Sequence, residues 1–361
     1  MFENYSLWDK LKNCHKPIFM YGTGNGGDKI ISALSAHKID LTGIFASDGF
    51  VRDRYFHNFK VRSYSDVVME YGEDIVILLA FGTTLPDVTA FIEKLNDRHE
   101  LIIPDVPLYG GDLFDGEYFK SHQAELISVR DMFADEESKM LFDDVVNFRL
   151  TGKLDYLRRT SENTVIIREM FEHQAIANVL DGGAFKGDST ADFVSALSPE
   201  KIYAIEADAK THAKLSDYAR NETRCEIIPI HAALWDNDCE LSYVSSGSRG
   251  SGRSGQNKRA QSIVVPARTI DSICENFTVD LIKLDIEGAE REAIRGANSI
   301  ILRDKPNMAV SLYHRTEDII TLPLSIKSLL PEHSLYLRRV PCIPMWDLTL
   351  YAIKKQQKAV T

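Results

Sequence analysis

The chain has 361 residues, 44% hydrophobic and 26% charged, with a formal net charge of −11; that length exceeds what one core usually supports and predicts two domains, and the negative field disfavours nucleic acid as a partner. Cysteines 14, 225, 239, 274 and 342 form no CxxC pair and no zinc-like spacing, which fits reduced thiols in a cytoplasm. No charged-then-apolar leader opens the chain and no apolar run approaches 18 residues, so the expectation is a cytoplasmic protein without a membrane span.

The first organised block runs from an apolar strand (Ile18 to Tyr21) through the turn MYGTGNGGDK into a helical period at Ile30, Ile31 and Leu34, then to a second strand, LTGIFAS. A strand at DIVILLAFG, an amphipathic helix from about Pro86 to Leu95 and the stretch ELIIPDVPLYGG continue the alternation. Residues 15–111 therefore read as a Rossmann-like α/β domain. Gly22, Gly24 and Gly27 satisfy GxGxxG between strand and helix, where backbone N–H groups can hold a phosphate, and Asp48 ends the next strand, where a ribose hydroxyl would lie. A nucleotide ligand is one reading of this turn; a scaffold that uses its glycines only for packing is the other.

Residues 112–178 read as a helical connector. Asp135 is placed as an N-cap, Leu141, Val145 and Phe148 share one helical face, and Gly152 supplies a stop. From residue 179 to about 356 the βα alternation resumes through NVLDGG, KIYAIEAD, EIIPIHAALWD, VDLIKLDIEG and NMAVSLYH. Two late strands, SLYLRRV and DLTLYAI, are spaced to pair as an antiparallel hairpin. The fold class is thus α/β, with two Rossmann-like domains joined by helices.

The second glycine turn, VLDGGAFKGDST, is built differently. Asp181 precedes Gly183, Ala184 and Gly187, and a carboxylate there suits an ammonium group better than a pyrophosphate. Glu206, 19 residues beyond Gly187, ends the next strand in position to accept from both ribose hydroxyls. AALWDND, with Ala233 and Trp235, follows the third strand, where it can frame an adenine. A ligand that joins an amine to adenosine, S-adenosylmethionine, fits all three. In LIKLDIEGAEREAIRGA, Lys283, Asp285 and Glu287 alternate with apolar residues, so they are expected on one face at a strand's carboxyl end. Gly288 is expected to open a helix. Glu287 also reads as a helix cap, with Lys283 as its internal ion partner.

These motifs resemble those of the FkbM-type S-adenosylmethionine-dependent methyltransferases: VLDGGAFKGDST the first glycine motif, YAIEAD the ribose motif, and IKLDIEGAEREAIRGA the distinctive K-x-D-x-E-G-x-E signature. SLYHRTEDIITLP, with His314, is similar to the family's late strand and loop. FADEESKMLFDDVVNFRLTGK is similar to a segment that precedes this domain in relatives with an N-terminal nucleotide-binding-like domain. Asp208 stands where family members often have proline. The resemblance implies a class I methyltransferase with a seven-stranded sheet, acting on a hydroxyl, often of a sugar or polyketide.

For that chemistry the expected base is His314, by the ordinary pKa range of histidine, or Asp285, which can also orient the histidine. Asp285 and Glu287 leave a divalent cation open without predicting one. Arg249 and Arg253, in the basic glycine- and serine-rich stretch SSGSRGSGRSGQNKRAQ, are candidates for binding an anionic acceptor such as a nucleotide-linked sugar. The competing reading is a nucleotide- or nucleotide-sugar-binding protein whose second domain is structural.

Overall fold

The computed structural model describes residues 2–51, 53–107, 109, 111–244, 252–253 and 262–355. The chain divides into two compact units. One comprises Met1–Arg130, Lys139–Thr160 and Val340–Asp347; the other comprises Asp131–Ser138, Ser161–Arg339 and Leu348–Thr361. Among the described residues no helix is long and apolar enough to cross a membrane.

The first unit runs through α1 (Leu7–Lys12), β1 (Ile18–Tyr21), α2 (Asn25–Ala36), β2 (Gly43–Ala46), β3 (Tyr55–Phe56), β4 (Phe59–Ser63), α3 (Tyr64–Tyr71), β5 (Val76–Leu79), α4 (Pro86–Arg98) and β6 (Glu100–Ile102). Its sheet has the order β3-β4-β2-β1-β5-β6, parallel throughout except for β3. Every residue of β1 and β5 is buried, the continuous apolar run of a strand covered on both faces. The β3–β4 hairpin was not foreseen, because its residues carry too little apolar alternation to register as strands. The segment 340–347 also belongs to this unit: Thr83 N–H donates to Ile343 O at 2.7 Å, and Trp346 packs on Gly82.

Three helices follow: α5 (Gly116–Met132), α6 (Glu136–Thr151) and α7 (Asn163–Phe171). Asp135 caps α6, its Oδ1 accepting from Ser138 N–H at 2.8 Å. The same carboxylate meets the buried Arg338 guanidinium at 2.7 Å.

The second unit continues through β7 (Asn178–Gly182), α8 (Asp188–Leu197), β8 (Lys201–Glu206), α9 (Ala209–Asn221) and β9 (Glu226–His231). It then adds β10 (Ala233–Leu234), β11 (Cys239–Val244), β12 (Gly252–Arg253), β13 (Ser262–Arg268) and α10 (Ile270–Ile273). It closes with β14 (Leu281–Leu284), α11 (Glu290–Arg295), α12 (Asn298–Asp304), β15 (Asn307–Ser311), α13 (Asp318–Leu329), β16 (His333–Arg339) and β17 (Leu348–Lys354). The seven-stranded sheet has the order β16-β17-β15-β14-β7-β8-β9. The two late strands pair antiparallel as expected, and β17 inserts between β15 and β16. The chain lays β8 and β9 on one side of β7 and later returns to lay β14 and β15 on the other. The reversal opens a crevice at the carboxyl ends of β7 and β14, where such sheets place ligands.

A separate four-stranded sheet, β10-β13-β11-β12, was also unforeseen. The basic stretch joins β11 to β13, whose ends Val244 and Ser262 are register partners. Arg249 lies outside the described residues, and of Arg253 only the backbone, in β12, is described.

Although partial burial opposes it, the Arg338 guanidinium and the Ser138 donors hold the Asp135 carboxyl below its usual range. A carboxyl whose folded pKa is depressed contributes stability above its unfolded pKa, about 3.9, and loses it as the pH falls through the folded value. Urea midpoints measured from pH 7 to pH 2 are expected to show Asp135→Ala costing about 1 kcal/mol or more at pH 7. That gap should close towards the acid end. A gap that stays constant with pH would show that the ion pair contributes nothing.

Candidate active site

The turn after β7 is fastened from three sides. Gly183 and Ala184 N–H both donate to Ile205 O at 3.0 Å, and Phe185 N–H donates to Glu206 Oε2 at 3.0 Å, tying the turn to β8. Asp285 N–H donates to Gly182 O at 3.1 Å, tying it to β14. Gly183 has a φ of +76°, and a Cβ there would lie 2.0 Å from Asp285 O, so both the left-handed backbone and the close approach require glycine. Gly187 precedes α8 with a left-handed backbone, and Ala184 is wholly buried.

Asp181 has no exposed surface. It accepts from Ser189 Oγ at 2.8 Å and Thr190 Oγ1 at 2.7 Å, and the Lys283 ammonium lies 3.1 Å from its Oδ1. This corrects two expectations. Asp181 turns into the domain, and the ammonium it serves is that of Lys283. Lys283 pairs with Asp181 and not with Glu287. Its Nζ also donates to Gly182 O at 3.1 Å and Gly183 O at 2.9 Å, carbonyls of the turn itself. Burial opposes charging Lys283, but Asp181 and Asp285 outweigh it and raise its pKa.

Glu206 is 8% exposed and ends β8. One oxygen accepts from Phe185 N–H and the other from Asp208 N–H, at 2.7 Å. The carboxylate plane is thereby fixed, and each oxygen retains a lone pair for a further donor. Burial raises its pKa against these hydrogen bonds. Asp208 caps α9 through Lys210 and Thr211 N–H, so α9 starts cleanly without the proline. Ala233 lies not in the main sheet but in β10, paired with Ala267, and Trp235 follows it with its N–H on Arg268 O at 3.0 Å.

β14 ends at Leu284, so the expected alternation breaks after Asp285. Glu287 and Gly288 have φ of +59° and +90°, and α11 starts at Glu290, two residues later than expected. The turn is closed by Glu290, whose Oε1 accepts from Ile286 N–H at 2.8 Å. The Asp285 side chain is 36% exposed, and Tyr313 Oη donates to its Oδ1 at 2.9 Å. Burial resists its ionisation, yet Lys283, His314 and the Ser311 and Tyr313 hydroxyls hold its pKa below the ordinary value.

His314 is fully buried. Its Nδ1 is 2.9 Å from Glu290 Oε1, and its Nε2 is 3.5 Å from Asp285 Oδ1 and 3.6 Å from Glu287 Oε2. Burial opposes protonation, but the three carboxylates overcome it and push the pKa up to about 10. A pKa raised in this direction favours the protonated imidazole and argues against the expected base near pH 6.5. Glu290 was not among the expected site residues, and only its place in the signature K-x-D-x-E-G-x-E hinted at it.

In the first unit Gly24 caps α2 with a φ of +112°, and no atom lies within 4 Å of where its Cβ would be. Gly22 packs on Phe81, and Gly27 on Met20 and Phe56. Asp48 begins a short 3-10 turn and accepts from Ser65 N–H at 3.0 Å.

Breaking the Asp181–Lys283 pair strands a buried carboxylate, at about 3–5 kcal/mol. Urea unfolding of Lys283→Met should show that loss, and adding Asp181→Asn should recover a large part of it. A single variant within about 1 kcal/mol of wild type would mean that the ammonium is not what compensates Asp181.

Residues 181–337 match the methyltransferase FkbM domain. The fold is similar to that of a methyltransferase FkbM from Methylobacillus flagellatus KT, with a TM-score of 0.68 at 18% identity over 93% of this chain and 90% of that one. Weaker likenesses are an rRNA methylase from Streptococcus thermophilus (TM-score 0.34, 14% identity, 54% of this chain, 94% of that one) and a fibrillarin from Aeropyrum pernix with natively bound S-adenosyl-L-methionine (0.29, 13%, 50% and 66%). No curated protein sequence matches the chain significantly. Residues 181–337 thus carry a methyltransferase FkbM domain, a match that supports an S-adenosylmethionine-dependent methyltransferase.

Proposed function

We propose that the second unit methylates a hydroxyl oxygen of a sugar, glycan or nucleotide-sugar precursor. The observation that carries this reading is Asp285. It is a partly exposed carboxylate at the carboxyl end of β14, beside the glycine turn, with Tyr313 fixing one of its oxygens. An anionic acceptor of that kind suits a polyol hydroxyl, and the family resemblance points the same way.

The residues present fit the cofactor, since Glu206 keeps a lone pair on each oxygen for a ribose diol, and Ala233 and Trp235 are our candidates for the adenine. When bound, S-adenosylmethionine supplies a methyl group on a sulfonium, already activated for in-line displacement. Asp285 orients the acceptor hydroxyl and receives its proton as the oxygen–methyl bond forms and the carbon–sulfur bond breaks, its electron pair staying on sulfur. Lys283 and Asp181 hold the turn beneath. His314, its pKa raised by the surrounding carboxylates and itself out of reach of solvent, is a positioning residue whose charge helps keep Asp285 ionised.

Calorimetric titration with S-adenosylhomocysteine tests the assignment. One site is expected, weakened by about 1.5–3 kcal/mol in Glu206→Ala and unchanged in Gly24→Ala. Asp285→Asn should keep that affinity within a few-fold while turnover on a hydroxyl acceptor falls about 10²-fold or more. Normal turnover of Asp285→Asn, or binding that depends on Gly24 and not on Glu206, would overturn it.

A second ligand in the first unit is favoured by the open space at Gly24 and by Arg54, which donates to Thr23 Oγ1 in the same turn. We propose a nucleotide or nucleotide-sugar there, with Asp48 towards its ribose. Such ligands should raise the melting temperature, and Gly24→Asp should cancel the shift by steric and charge conflict. A screen of nucleotides and nucleotide-sugars that produces no shift would leave the turn a packing device.

A further inference from the structure

Four ionisable side chains converge at the carboxyl ends of β14 and β15, and their arrangement exceeds what positioning one carboxylate needs. His314 Nε2 stands 3.5 Å from Asp285 Oδ1 and 3.6 Å from Glu287 Oε2. Both separations are longer than a hydrogen bond. The separation from Asp285 matches the spacing of neighbouring ligand atoms around one divalent ion, about 3.0–3.5 Å for bonds near 2.1 Å. Asp285, Glu290 and His314 each offer a ligand atom within 4.8 Å of the other two.

An independent observation points to the same place. Glu290 is 1% exposed, its Oε1 is engaged by Ile286 N–H and His314, and its Oε2 has no hydrogen-bond partner among the described residues. A buried anionic oxygen without a donor carries a desolvation cost that a cation would relieve.

The geometry points to a divalent-cation site formed by Asp285, Glu290 and His314, in which the ion replaces the proton that His314 holds without it, that proton leaving to solvent, and also takes the oxygen of the acceptor hydroxyl. The inference rests on the hydroxyl-methylation reading and extends it. Two oxygen ligands and one imidazole suit magnesium, manganese or zinc. A hydroxyl on such an ion is a stronger acid. With the ion bound, Asp285 is a ligand instead of the base, and the acceptor's proton passes to Glu287, whose side chain is 27% exposed and lies beside the site. The oxygen–methyl bond forms, the carbon–sulfur bond breaks with its electron pair on sulfur, and charge balances without any redox partner. The ion also selects the acceptor: a hydroxyl with a second oxygen on the adjacent carbon chelates, as in a vicinal diol or a 2-hydroxy acid.

Manganese titrated into the full chain, with and without S-adenosylhomocysteine, reads the site directly through loss of the free-ion electron paramagnetic resonance signal. One ion per chain is expected, with affinity lowered about 10- to 100-fold in both Asp285→Asn and Glu290→Gln. Glu287→Gln should leave manganese affinity within a few-fold and lower turnover. Circular dichroism and S-adenosylhomocysteine binding show which variants are folded; the partly exposed Asp285 position keeps the test valid even where Glu290→Gln does not fold. No saturable manganese binding, or binding indifferent to Asp285→Asn, overturns the site. Intact S-adenosylhomocysteine binding and hydroxyl methylation in that same protein would show that the methyltransferase reading survives.

Discussion

Lys283 and Asp181 are register partners on adjacent parallel strands, β14 and β7, and the contact between their side chains is what the active-site end of the sheet depends on. Neither group tolerates burial alone, since an uncompensated charge in a low-dielectric interior costs several kcal/mol. Together they permit an irregular turn to lie against the sheet. The ammonium caps the Gly182 and Gly183 carbonyls, and the carboxylate gathers the Ser189 and Thr190 hydroxyls at the start of α8. The pair's contribution is conformational: it fixes where the turn ends and where α8 begins.

Charge is then distributed unevenly along the crevice. On the β8 side the turn presents backbone donors and the fixed Glu206 carboxylate. On the β15 side three carboxylates surround one buried histidine. Asp285 stands at the boundary, lowered in pKa by Lys283 from one direction and His314 from the other. A site arranged this way keeps a carboxylate ionised at a sheet edge while burying most of the cations that stabilise it, so its open face is acidic.

The two glycine turns differ for the same reason. At Gly24 the space beside the helix start is open and the nearby polar groups are surface groups. At Gly183 that space is filled from below by β14, leaving no room even for a methyl group. The first turn leaves room beside its helix, and the second is wedged between two strands.

Strand and helix order was largely readable from the sequence, because apolar runs alternating with helical periods are local signals. The carboxylates at the ends of β8 and β14 were readable too, because a strand end defines its own position. Short, weakly apolar pairs such as β3 with β4, and the small sheet of β10 to β13, escaped because pairing with a neighbour makes them strands. Tertiary structure alone decided which ammonium Asp181 meets, that segment 340–347 joins the first unit, that Glu290 enters the site, and that three carboxylates raise the pKa of His314. Those outcomes depend on sheet register, on desolvation and on charges contributed from Asp285, Glu287 and Glu290, 24 to 29 residues upstream of His314. Local periodicity does not encode them, because a side chain's partner and its protonation state belong to the surroundings that folding creates.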